Sequence, residues 1–436
     1  MLSIIGLLVI AIIVTLLITQ KLNPIVALVI VPFIGALAAG FGFGEITEFF
    51  NDGINSVISV VIMFVFAILF FGVMQDTGLF NPIINKMVKL SRGNVVLVAI
   101  ATVLIGAIAH LDGSGASTFL ITIPALLPLY KKLNMSPYML VMLIGMSASI
   151  MNMVPWGGPL GRTAAVLSVE PPELWRPLIP LQGILIILLA SMGALVGKLE
   201  QNRLKKNGLL NGDINFNQFT LSEEKDESAA ELERPGLLWF NLLLTLLVVA
   251  FLMWGALPAG LIFMLAVSIA LPVNYTDMNV QMQRIRAHAP SALMMAAIIL
   301  AAGSFLGILE NSGMLDSLAE DIVVILPGFL IPYLHYIIGI FGAPLELVLN
   351  TDAYYFALLP VVEQIVSVHG VDQITAAYSL MIGNIIGTFI SPFSPALWLA
   401  VGLAGIEMGR YIRYAIFWVW GFSLLAMAAA FLMGII

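Results

Sequence analysis

His110, Asp112, Ser114, Ser117 and Thr118 crowd into the ten residues HLDGSGASTF, with NVVLVAIATVLIGAIA before them and LITIPALLPLY after. A titratable pair and three hydroxyls between two apolar runs need an explanation where water is absent. An ionised side chain inside a membrane span costs about 2.5–3.5 kcal/mol on insertion scales, so a functional role is the default. The glycines break the helix, and a second arm starting near Gly115 presents free N–H groups that attract carboxylates. Ser114, Gly115, Ser117 and Thr118 are therefore candidate ligands for an anion, with His110 and Asp112 as candidate ion-coupling groups. A second polar island, LNTDAYYF, offers Asn350 and Thr351 as ligands and Asp352 as a further coupling group.

Two more stretches would interrupt any helix. MNMVPWGGPLGR carries two prolines and three glycines, and GTFISPFSPALW carries two prolines, with Ser391 and Ser394 beside them. Arg162 ends the first of these and has the planar fork that binds a carboxylate in two places. Asn384, in MIGNIIG, is a candidate ion ligand or a helix-to-helix hydrogen bond. Plainer uses compete at each position. Asp112 and Asp352 could simply cap helices, His110 could serve as a structural hydrogen-bonding group, and Arg162 could snorkel or pair with Glu170. Trp175 and Trp254 read as interfacial belt residues, the Met-rich runs as packing, and His288, His335 and His369 as loop or interface residues.

These segments must be positioned by membrane helices. Of 436 residues, 61% are hydrophobic and 10% charged, more apolar surface than a soluble fold can hide. The pI near 5.1 argues against a nucleic-acid partner. The absence of cysteine removes disulfides, thiolate metal sites and cysteine nucleophiles together. The opening MLSIIGLLVIAIIVTLLITQ has neither a basic leading region nor a small-residue cleavage site, and reads as a retained span. An intramembrane enzyme is only a remote alternative, because His110 and Asp112 two residues apart in a glycine-rich tip orient no triad. A channel is disfavoured because no ring or filter-like repeat is visible.

The chain repeats itself. FGVMQDTGLFNPI aligns without gaps on LGILENSGMLDSL, placing Gly72 on Gly307, Asp76 on Asn311 and Gly78 on Gly313. NMVPWGGP likewise answers TFISPFSP. Residues 1–197 and 236–436 then form two halves, joined by a polar linker, 198–235, expected in the cytoplasm. Loop charge sets the orientation, since Lys and Arg collect inside. The first half shows Glu45, Glu48 and Asp52 and then Lys86, Lys89 and Arg92, whereas the second shows Arg284 and Arg286 and then Glu310, Asp316, Glu320 and Asp321. The signs swap, so the repeats are expected to be inverted, which demands an odd number of crossings in each. A re-entrant hairpin at 93–130 meets that demand and leaves Lys131 and Lys132 inside. Its counterpart at 324–362 leaves Glu363 and Asp372 outside, and Arg410 and Arg413 fall inside. The expectation is an all-α polytopic membrane protein with ten spans, two hairpins, broken helices at 136–168 and 371–406, and both termini outside. Paired broken segments in inverted repeats point to a midplane transport site.

LDGSGASTF, MNMVPWGGP and NTDAYYF together resemble the citrate–metal–proton symporters, the CitMHS family of the ion transporter superfamily, over essentially the whole chain. The resemblance implies a bacterial cytoplasmic-membrane secondary transporter that takes up citrate chelated to a divalent cation such as Mg²⁺ or Ca²⁺, with protons. It also implies scaffold and transport domains, an elevator motion and a homodimer. By the same resemblance Asp112, Gly113, Gly115, Ser117 and Thr118 form the first tip. Asn152, Pro155, Trp156, Gly157, Gly158 and Arg162 form the first break, and Asn350, Thr351, Asp352 and Tyr354 the second tip. Family members often carry LDGDG where this chain has LDGSG, one carboxylate fewer. No metal site made by the protein alone is therefore expected, although Asp112 and Asp352 could touch a cation borne by the substrate. Coupling to sodium, and a free citrate, dicarboxylate or gluconate-like substrate, remain open alternatives.

Overall fold

Backbone groups in hydrocarbon must be satisfied internally, and long apolar runs achieve this as helices. The computed structural model describes residues 1–19, 21–82, 86–87, 94–209 and 231–436. Among these the first half runs α1 (Leu2–Ile18), α2 (Pro24–Ala38), α3 (Phe43–Asp76), α4 (Val95–Ala109), α5 (Gly115–Lys132), α6 (Pro137–Met151), α7 (Gly158–Val166), α8 (Pro171–Trp175) and α9 (Ile179–Lys206). The second half runs α10 (Leu238–Trp254), α11 (Ala259–Asn274), α12 (Met278–Asn311), α13 (Met314–Ile325), α14 (Leu334–Ile340) and α15 (Gly342–Leu345). After a π-helical turn, Ala353–Leu358, come α16 (Leu359–Ser367), α17 (Gln373–Ile385), α18 (Pro395–Ala404) and α19 (Met408–Leu432). Six helical segments of the described residues are long and apolar enough to cross a membrane, and seven apolar helices are shorter. The protein is an integral membrane protein, with its outward surface set by residues such as Leu246, Leu265, Phe417 and Leu432, all exposed.

The most extensive helix pair is α3 with α12, each 34 residues long. Their crossing is made by glycine. A Cβ on Gly53 would lie 2.1 Å from the Gly303 carbonyl oxygen, and one on Gly307 would lie 2.7 Å from the Gly53 Cα. Gly303 and Gly307 are four residues apart, the small-xxx-small spacing that lets membrane helices approach backbone to backbone. Each long helix is also flanked from the other half, α3 by α11 and α12 by α2.

Around this pair stand the two interrupted hairpins. The first consists of α4, a 3₁₀ turn at His110–Asp112, and α5. Its α4 arm packs on α9 and α6, and its α5 arm on α18 and α6. The second runs from α14 through α15 and the π turn to α16, packed on α17, α13 and α1. It begins at Leu334, with Ile331–Tyr333 leading in, because α13 extends as far as Ile325.

Several expected loops are helix instead. Glu45, Glu48 and Asp52 lie within α3, Arg284, Arg286 and Glu310 within α12, and Asp316, Glu320 and Asp321 on α13. A helix of 34 residues is about 50 Å long against about 30 Å of hydrocarbon, so its charged ends can stand in water without unwinding. Lys198 and Lys206 are likewise on α9, while Lys89, Arg92 and residues 210–230 of the linker lie outside the described residues. Trp175 is buried and donates through Nε1 to Gln182 Oε1 at 3.2 Å, so it is a core residue and not an interfacial one. His335 and Glu363 are also buried, on α14 and α16, because the helices carrying them continue where loops were expected. Trp254 and His369 are exposed.

Candidate functional site

Gly113 makes the first tip possible. Its φ of 72° is left-handed, and a Cβ there would press on Trp156 at 3.0 Å. Asp112 Oδ1 accepts from the Ser114 N–H at 2.9 Å, and Ser114 is the N-cap of α5, its Oγ accepting from the Ser117 N–H at 3.4 Å. Asp112 therefore holds its own turn. Ser117 Oγ donates to Ser114 Oγ at 3.1 Å. His110 is fully buried, with Nδ1 2.7 Å from Thr118 Oγ1 and Nε2 2.9 Å from Asn152 Oδ1. Nδ1 thus braces the tip internally, and Nε2 ties it to the first break.

The first break completes this clamp. Trp156 Nε1 donates to the Leu111 carbonyl at 2.7 Å, and its ring stacks on Phe71 with centroids 4.5 Å apart. Gly157 has no room for a side chain, since a Cβ would sit 2.1 Å from the Asn152 carbonyl oxygen. Helix α7 then starts at Gly158 and carries Arg162 inward. Arg162 pairs with Asp352, not with Glu170 or an interface. Its Nε and Nη2 both reach Asp352 Oδ1, at 2.8 and 2.7 Å. The pair spans the two halves of the chain and is only 10% and 14% exposed.

At the second tip Asn350 Oδ1 accepts from the Ala353 N–H at 2.8 Å, starting the helix. Thr351 is half-buried there. Tyr354 is fully buried and its hydroxyl donates to the Leu380 carbonyl at 3.0 Å, so that group holds the turn against α17. Asn384 Nδ2 donates to the Gly342 carbonyl at 3.1 Å. Ser391 is buried in the second break, and Ser394 precedes α18 as its N-cap residue.

A cavity of about 210 Å³ opens at the first tip. Asp112, Gly113, Ser114, Ser117 and Trp156 form one wall. Gly72 and Gln75 from α3, and His288, Ser291 and Met295 from α12, form the other. His288 is therefore at the site, and its Nε2 lies 2.8 Å from Asp76 Oδ2, with Arg284 Nη1 3.5 Å from the same oxygen. Helix α12 continues as helix past the point where a loop was expected, and that continuation carries His288 to the wall. The second-half residues Asn350, Thr351, Tyr354, Ser391 and Ser394 are not on this wall. The arrangement offers the hydroxyls of Ser114, Ser117 and Ser291, the Gln75 amide, one carboxylate and one imidazole to a small polar ligand. No group of three or more His, Asp or Glu suited to a resident metal occurs among the described residues.

The chain matches the CitMHS family, described as citrate transporter, over residues 5–383. It is 36% identical to a protein of Bacillus subtilis (strain 168) named citrate transporter, over 436 residues and 100% of both chains. It is also 36% identical to that organism's Mg(2+)/citrate complex secondary transporter, over 440 residues, 100% of this chain and 99% of the other. Among solved structures it is similar to the Alcanivorax borkumensis YdaH transporter, whose crystal structure is described as having an unusual topology. The TM-score is 0.55 with 14% identity, covering 86% of each chain, a likeness of fold alone.

Proposed function

The chain belongs to the CitMHS family of citrate transporters, and from that premise we propose that it carries citrate into a bacterial cell as a complex with a divalent cation, driven by co-transported protons. The observation that carries this reading is the charge balance around the cavity. Citrate is close to trivalent at neutral pH, and a divalent cation would leave the complex near one negative charge. The cavity wall offers hydroxyls, the Gln75 amide and His288, but the Arg162 guanidinium is already bound by Asp352. An uncomplexed trianion would meet too little positive charge there, and would face the carboxylate of Asp112. A complexed citrate instead presents its cation to Asp112 and its free oxygens to the hydroxyls of Ser114 and Ser117. The full-length likeness to a protein named for the Mg(2+)/citrate complex supports the same substrate.

In this reading α3 and α12 belong to a scaffold, and the hairpins with the broken helices form a body that moves against it. The site has walls from both, so sliding that body would carry the ligand away from Gln75 and His288 with the first tip still around it. The two halves act as inverted repeats approaching from opposite leaflets, placing one tip on each side of the substrate during the cycle.

Uptake of labelled citrate into proteoliposomes, under separately imposed proton and sodium gradients, tests the proposal. Uptake should require Mg²⁺ or a similar ion and fall at least tenfold when a chelator holds the free cation low. Undiminished uptake in chelator would discard the complex in favour of free citrate. Accumulation that follows only the sodium gradient would replace the proton as the driving ion.

A further inference from the structure

The second tip encloses a carboxylate that the substrate reading leaves unused. Glu346 follows α15 and is 0% exposed. Neither of its carboxylate oxygens has a hydrogen-bond partner. The side chains of Asn384, from α17, and Ser391, from the second break, lie against its carboxyl group. Both are buried as well, at 0% and 1% exposed. Asn384 has its Nδ2 committed to the Gly342 carbonyl, but its Oδ1 is unpartnered, as is Ser391 Oγ. Four buried oxygens on three neighbouring side chains therefore lack a partner.

An unpaired buried carboxylate is costly, and a buried polar atom normally has a hydrogen bond. The nearby charges do not supply one. Arg162 is the cation facing Glu346, and it lies 2.7 Å from Asp352 Oδ1. Asp352 itself adds a second negative charge from the tip. Tyr354 gives its hydroxyl proton to the Leu380 carbonyl, and the Tyr355 hydroxyl has no hydrogen-bond partner. With Arg162, Asp352 and Glu346 all ionised, the enclosure is short of one positive charge. The missing partner must be small, because the group is completely covered.

We propose that Glu346, with the oxygens of Asn384 and Ser391, binds one monovalent cation, a proton or an alkali ion, that crosses the membrane with each substrate. This deepens the transport reading and rests on it. The position suits coupling. Glu346 lies four residues before Asn350, which starts the helix carrying Asp352, and Asp352 holds Arg162 at the first break. Filling the Glu346 enclosure neutralises the tip and lets it close on that break. Emptying it leaves an uncompensated charge that resists closure. Cation and substrate would then favour the same closed arrangement, which is the linkage symport needs.

The test measures the number of cations moved per citrate, from the gradient that just balances an opposing citrate gradient in proteoliposomes. Proton and sodium gradients are imposed separately on the wild-type protein and on Glu346→Gln. The variant should move one cation fewer per citrate, protons in the first case and sodium ions in the second, and that arm identifies the ion. An unchanged ratio in both arms overturns the proposal. Should Glu346→Gln fail to fold, Ser391→Ala removes one oxygen and keeps the carboxylate. It should raise the cation concentration needed for half-maximal uptake roughly 3- to 10-fold, about the worth of one hydrogen bond. An unchanged cation dependence in Ser391→Ala overturns the proposal equally. Failure of the wild-type protein to move citrate under any gradient would instead sink the transport reading, and this inference with it.

Discussion

Arg162 shows how far residue types alone can be read. Its place after the PWGGP break marks it as a carboxylate-binding group, and the structure does give it a carboxylate, but that of Asp352 from the other half of the chain. Sequence spacing cannot reveal a partner 190 positions away. His110 had a proton-carrying role and a structural one open to it, and both of its ring nitrogens have hydrogen-bond partners, Thr118 and Asn152. Glu346 was missed because GAPLELVLN reads as an apolar arm with one charge in its middle. The available signal was that no basic residue accompanies it. The Arg162 pair makes a sharp prediction. Replacing Asp352 by Asn leaves a nearly buried guanidinium without its counter-charge, which costs about 3–5 kcal/mol when a buried pair is broken. Thermal unfolding in detergent should show this loss, and Arg162→Met combined with Asp352→Leu should recover much of it. Equal unfolding temperatures for Asp352→Asn and wild type would mean that the pair is not formed.

At the scale of elements, breaks in helices do the positioning. The sequence displays them where proline and glycine or serine cluster, whereas the isolated Pro32, Pro272 and Pro290 lie inside continuous helices. Pro155, Pro159, Pro392, Pro395 and Gly113 all fall at or beside helix interruptions. Packing of one element on another is less legible. Gly53, Gly303 and Gly307 look like unremarkable small residues in apolar stretches, yet they allow α3 and α12 to touch at the backbone. Adding a single methyl at Gly53 should force the helices apart and cost about 1–3 kcal/mol, the usual penalty of overpacking. Gly421→Ala is the matched control, since nothing lies within 4 Å of the position and alanine favours a helix. Unfolding of the two variants at the same temperature would argue against that crossing.

For the whole molecule, the decisive question is which ends face which side. Sign-swapped charge clusters lead to the expectation of inverted halves, and α3 and α12, which carry two of those clusters, are of equal length. The chain has no cysteine, so single cysteines can be introduced without a background. Cysteine at exposed Lys131 and at exposed His369 should react with an impermeant maleimide from opposite sides of the membrane. Labelling of both from the same side would end the inverted arrangement and the two-leaflet approach of the tips.

Composition, the internal repeat and the four broken stretches by themselves determined that this is a helical membrane transporter and where its polar islands lie. Those properties depend on each segment's own contact with lipid or water, and a local pattern records them. Three things were decided only by the tertiary structure: that Asp352 takes Arg162, that His288 from α12 forms part of the cavity wall, and that Glu346 is closed in beside Asn384 and Ser391. Each joins residues far apart in sequence, and the free energy of a buried charge depends on which distant groups come to surround it.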